Sequence, residues 1–150
     1  TACRRQRQMC IRDRYKSEVK LRVRYAETDQ MGYCYYGNYA QYFEVARVES
    51  LRSLGVAYKD LEDMGIILPV THFQIKYLKP AFYDENLSVK SYIVKLPSAR
   101  IFFEYETYNQ KNEKLNFGET SLVFLNKNSK KPVNCPNIIV EKLKPYFNEN

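Results

Sequence analysis

Residues 27–47 read ETDQMGYCYYGNYAQYFEVAR, and the division of this stretch decides the fold. Just before it, VKLRVRY at 19–25 alternates apolar and basic residues, the pattern of a strand with one face on a core. From Asn38 the period changes. Tyr39, Tyr42, Phe43, Ala46, Ser50 and Leu54 recur at helical spacing, while Glu44, Arg47 and Arg52 fall off that stripe. Asn38 is a favoured N-cap with Gln41 in capping-box position, and Gly55 stands where a helix of about 17 residues would close. Between strand and helix lie Glu27, Asp29, a lone glycine and a crowd of tyrosines, which is unusual for a connecting loop.

Working outward, a helical turn is expected at 58–64 and strands at 66–78, 86–96, 100–109 and 115–126, separated by Pro-, Ser- and Asn-containing turns. Pro69 predicts a bend near the start of its strand. PNIIVEKLKPYF near the C-terminus reads as a short helix broken by Pro145. The order is strand, long helix, four strands, an α+β arrangement of one helix on a five-stranded sheet. Both faces of IFFEYETY and FGETSLVFL carry aromatic or aliphatic residues, so one long helix leaves apolar surface and sheet edges for a second copy.

Composition bounds the function. A chain of 150 residues suits one domain and can bury ~70% of its unfolded surface. No apolar run approaches the ~18 residues a membrane span needs. Cys3, Cys10, Cys34 and Cys135 lack metal-type spacing, and the single histidine, His72, cannot complete a zinc cluster, so no metal or cofactor is expected and a reduced, cytoplasmic protein is. The net charge is +7, but residues 1–14 hold five arginines and one aspartate and so supply most of it. That segment reads as a leader foreign to the domain at 15–150, with a basic nucleic-acid-binding arm as the alternative reading. The remaining +3 is no nucleic-acid footprint.

With these elements in place, RYAETDQMGYCYYGNYAQYFEVAR resembles the hotdog-fold acyl-CoA thioesterases of the hydroxybenzoyl-CoA thioesterase type, and YLKPAFYDE at 77–85 resembles the turn after that family's second strand. The likeness covers roughly residues 18–130. It implies a five-stranded antiparallel sheet wrapped around one long central helix, with a short C-terminal helix. It also implies an acyl-CoA substrate and a homodimer or homotetramer. Asp29 falls at the position of the catalytic carboxylate, which acts as general base or nucleophile. Backbone N–H groups around Tyr36, Gly37 and Asn38 would form the oxyanion site at the positive end of the helix. Tyr35, Asn38, Tyr39 and Glu44 fall in the family's positions near substrate, and Arg100, Lys95 and Lys76 could meet the phosphates of coenzyme A. Many relatives carry a histidine where this chain has Tyr36, so a relay through that side chain is absent.

Bland readings stand beside these. Asp29 could simply stabilise a turn, Glu27 could be salt-bridged, and Glu44 could be a plain surface residue of the helix. His72 is expected to pack. Cys34 has no histidine nearby in sequence, so a cysteine nucleophile is disfavoured. The alternatives to acyl-CoA hydrolysis are an acyl-carrier-protein thioesterase and a non-catalytic acyl-CoA-binding regulator.

Overall fold

A computed structural model describes residues 14–147. Residues 1–13, nearly all of the expected leader and with them Cys3 and Cys10, lie outside the described part. The chain starts with strand β1 (Tyr15–Arg22), a 3-10 turn (Tyr25–Glu27) and the long helix α1 (Asn38–Ser53). Helix α2 (Tyr58–Asp63) follows, then β2 (Ile66–Ile67), β3 (Val70–Tyr77), β4 (Asn86–Ile93) and β5 (Arg100–Tyr108). Strands β6 (Lys114–Val123) and β7 (Leu125–Asn126) precede α3 (Asn137–Leu143), which gives way to a 3-10 turn at Lys144–Tyr146 containing Pro145. This is the α+β hotdog arrangement: a fully antiparallel sheet in the order β1-β4-β5-β6-β3, wrapped on α1, with β2 and β7 forming a small separate ribbon.

The boundaries have local causes. β1 ends early because the Arg24 N–H turns to the Glu27 carboxylate at 2.9 Å, starting the 3-10 turn. The strand expected at 66–78 splits around Pro69, which has no N–H for a ladder. The strand expected at 115–126 breaks at Phe124, whose N–H goes to Ala99 O at 3.2 Å. α1 closes at Gly55 as expected, with the Val56 N–H reaching back to Leu51 O at 3.0 Å.

Packing centres on α1. Phe43 is fully buried and stacks on Tyr105 of β5 at 4.2 Å between centroids and 5° between planes. That stack needs Gly118 on β6: a Cβ there would lie 2.5 Å from Gln74 O and 2.9 Å from Phe43 Cε2. One assignment on α1 is corrected. Arg47 was placed off the buried stripe, yet only 5% of it is exposed.

The sheet's other face and its two edges differ in character. Away from α1, cations cover the aromatics: Lys90 lies 4.6 Å over Tyr108, Lys95 4.3 Å over Phe102, and Arg14 4.5 Å over Tyr92. Edge strand β1 presents Lys16, Glu18, Lys20 and Arg22, charges that discourage pairing. Edge strand β3 is different, leaving Val70 and Phe73 45% and 41% exposed. His72, expected to pack, is half exposed there, 3.9 Å from Glu119.

Candidate active site

The loop between β1 and α1 is built by its own acids. Asp29 Oδ1 accepts from the Met31 N–H at 3.0 Å and the Tyr33 N–H at 3.2 Å, while the backbone of Asp29 pairs with Gly32 and Tyr33. This tight turn holds the carboxylate at the loop's apex. Oδ2 makes no hydrogen bond among the described residues. The turn-stabilising reading of Asp29 is therefore right for one oxygen and leaves the second open.

Glu27 plays the opposite part. It is 6% exposed and fully occupied: Oε1 accepts from the Arg24 N–H and the Tyr42 hydroxyl, and Oε2 from Arg24 Nη2 at 2.7 Å. Burial alone would raise its pKa, but the hydrogen bonds from Arg24 and Tyr42 and the Arg24 charge outweigh burial and hold the carboxyl below its ordinary 4.5. The salt-bridged reading of Glu27 holds. Because the folded pKa is depressed, this pair contributes its full stability above pH 4.5 and loses it as pH falls through the lower folded value. Glu27→Gln should thus flatten the acid limb of stability below about pH 4.5, read by urea midpoints between pH 7 and 3. An unchanged acid limb would mean other carboxylates govern it.

The same residue ties the loop to the helix. Glu27 O accepts from Asn38 Nδ2 at 2.7 Å and from the Tyr35 N–H at 2.8 Å. This corrects the capping expectation. Asn38 is the first residue of α1 and Gly37 its N-cap, because the Asn38 side chain is drawn to Glu27 instead of to its own helix. Of the three amides expected at the oxyanion site, Asn38 N–H is taken by Tyr35 O at 3.0 Å. Those of Tyr36 and Gly37 donate to nothing among the described residues, as the first N–H groups of a helix do. Gly37 has ordinary helical φ of −68°; what it permits is contact, since a Cβ would meet Tyr35 Cε2 at 2.7 Å.

Asp29 and the helix start face one cleft of about 270 Å³, lined by Asp29, Met31, Cys34, Tyr36, Tyr39 and Tyr77 among others. Its aromatic walls brace each other, with Tyr36 and Tyr39 at 6.2 and 5.8 Å from Tyr77, whose hydroxyl donates to Tyr36 O at 3.1 Å. Asp29, Tyr36 and Tyr39 are thus brought together, with Gly37 and Asn38 adjoining. Tyr35 lies over Gly37 and off the cleft wall. Glu44 is exposed on α1, about 9 Å along the axis from Asn38. Arg100 donates to Thr71 at the far end of the sheet, roughly 20 Å from the Tyr77 end. Burial pushes the Cys34 thiol up, away from the thiolate a nucleophile needs. Sequence reasoning missed Tyr77 as a wall of the cleft; its place in YLKPAFYDE, next to the turn, was the available signal.

A five-stranded antiparallel sheet wrapped on one long helix is the hotdog architecture. The chain belongs to the thioesterase superfamily, whose family model matches residues 31–116. It is 41% identical to the DHNA-CoA thioesterase of Staphylococcus aureus, whose structure superposes with a TM-score of 0.77 over 79% of this chain and 80% of that one. The protein TT1821 of Thermus thermophilus aligns at 30% identity and a TM-score of 0.81, over 87% of this chain and 98% of that one. YneP of Bacillus subtilis, provisionally named an acyl-CoA thioesterase, is 36% identical over 117 residues, which is 78% of this chain and 85% of YneP.

Proposed function

We propose that the protein hydrolyses acyl-coenzyme A to free acid and coenzyme A in the cleft at the start of α1. The observation that supports this reading is one cleft lined both by Asp29, whose Oδ2 has no hydrogen-bond partner among the described residues, and by Tyr36 and Tyr39 at the start of α1. A thioester carbonyl is electrophilic and a thiolate leaves without a strong acid, so one carboxylate and one oxyanion site suffice. Asp29 Oδ2 takes the proton of an attacking water or attacks the carbonyl itself. The Tyr36 and Gly37 amides, at the positive end of α1, receive the charge that builds on the carbonyl oxygen. Tyr36, Tyr39 and Tyr77 give the acyl group an aromatic wall to lie against. Free thiol released across a series of acyl-CoA chain lengths is the decisive measurement, and no release from any of them would leave a binding protein.

The likeness of YneP and the S. aureus enzyme, both named for CoA thioesters, supports the substrate class. Arg100 enters through assembly. Antiparallel pairing of β3 with β3 of a second copy would set the Val70 end of one strand beside the Tyr77 end of the other. The Arg100 of one subunit would then approach the cleft of its partner, where a phosphate could meet it. The apolar exposure of β3 favours this edge over charged β1. Gln74, exposed near the middle of β3, would then lie close to its own copy. Gln74→Lys should place like charges across the axis and shift a dimer toward monomer, as light scattering would show. A wild type that is an active monomer at assay concentration would remove the shared-site reading.

A further inference from the structure

Asp29 sits on a short hairpin whose base is fastened to α1 by side chains. Thr28 and Cys34 bridge across the hairpin, and the Asp29 N–H donates to Tyr33 O at 2.9 Å, so Glu27 and Cys34 are its two feet. The Tyr42 hydroxyl meets both of them. It donates to Glu27 Oε1 at 2.8 Å and lies 3.5 Å from Cys34 Sγ. Asn38, one helical turn earlier, donates through Nδ2 to Glu27 O at 2.7 Å. Two side chains about 6 Å apart along α1 thus hold one residue, Tyr42 by its carboxylate and Asn38 by its carbonyl.

The hydroxyl is not needed for packing. Tyr42 is 4% exposed on the apolar stripe of α1, where a phenylalanine would fill nearly the same space. Burial, and then the bonds to Cys34 and Glu27, raise its pKa, so it keeps its proton and stays a donor. Neither Tyr42 nor Glu27 lines the reactive cleft. On its other side the hairpin is tied by its backbone to the connection between β3 and β4, with the Cys34 N–H on Ala81 O at 2.7 Å and Tyr33 bridged to Phe82. Those bonds fix it to the sheet, while Tyr42 and Asn38 fix it to the helix.

We infer that Tyr42 is a positioning residue for the hydrolysis: its hydroxyl, with the Asn38 amide, holds the Asp29 hairpin in place against the N-terminal end of α1. Resting on the reading of Asp29 as the reacting carboxylate, this gives Asn38 a place behind the cleft instead of a contact with substrate. A thioester carbonyl lying between Asp29 and the start of α1 depends on the separation of those two, and the ties to the helix set it.

A double-mutant cycle on the whole protein, with released thiol as readout, tests this. Tyr42→Phe should lower kcat roughly tenfold, the loss expected when a reacting group moves by less than an ångström, with KM for acyl-CoA within about twofold of wild type. In the Asp29→Asn background the same substitution should change kcat by less than about twofold, because a residue that acts through Asp29 has nothing left to position. Losses that multiply independently would mean that Tyr42 supports the fold in general, and would overturn the inference. So would wild-type kcat in Tyr42→Phe beside an inactive Asp29→Asn, or a higher KM at unchanged kcat. An active Asp29→Asn would remove the reading of the site itself, and this inference with it. If Tyr42→Phe does not fold, Asn38→Ala carries the same cycle with the same outcomes.

Discussion

Asp29→Asn should lower turnover at least ~100-fold, the scale of losing a positioned base, while the protein folds as before. The structure explains why the two effects separate. Both hydrogen bonds that shape the turn converge on Oδ1, from Met31 and Tyr33, and an asparagine Oδ1 can accept them unchanged. What disappears is the basicity of the second oxygen. Tyr36→Phe is the matched control, since it keeps the backbone N–H and should cost less than roughly tenfold. The paired kcat values decide the mechanism. An active Asp29→Asn beside a dead Tyr36→Phe would move the chemistry to the tyrosine hydroxyl, and two active variants would move the site elsewhere.

The largest expected effect on stability is at Gly118. Gly118→Ala should cost about 3 kcal/mol, roughly a hundredfold in the folding equilibrium. The new methyl group would press on Gln74 O, a backbone atom of β3 that cannot rotate away, and on the edge of the Phe43 ring. Shrinking the ring with Phe43→Leu in the same chain relieves only the second clash, so rescue should be partial. Urea denaturation of the single and double variants checks this. A loss below about 1 kcal/mol would mean that β3 shifts outward at little cost.

Much of this architecture was legible because punctuation and period agree locally. The 3.6-residue stripe from Tyr39 to Leu54 with Gly55 beyond it marked α1 to within two residues, and Pro145 broke the helix it was expected to break, whereas Pro69, expected only to bend its strand, split it. Asp29 and Tyr36 were readable as a pair through the family likeness of the loop, and they do share a cleft. The misses are tertiary. Asn38 has the chemistry of a cap, but nothing in sequence shows that Glu27 O would stand 2.7 Å from its amide. Arg47 was placed by polarity on the solvent side, although its neighbours Ala46 and Ser50 are buried with it. The Tyr105 and Tyr58 hydroxyls give its guanidinium polar neighbours in the interior that a helical wheel does not contain.

Sharing of the exposed edge at β3 between two copies would make the abundance of the protein one of the variables of its own stability. If two copies share that edge, folding and association are one equilibrium, and the melting temperature must climb with concentration by mass action. Dilution then acts as a denaturant. On the same condition, a newly made chain would carry Val70 and Phe73 to solvent until a second chain arrives.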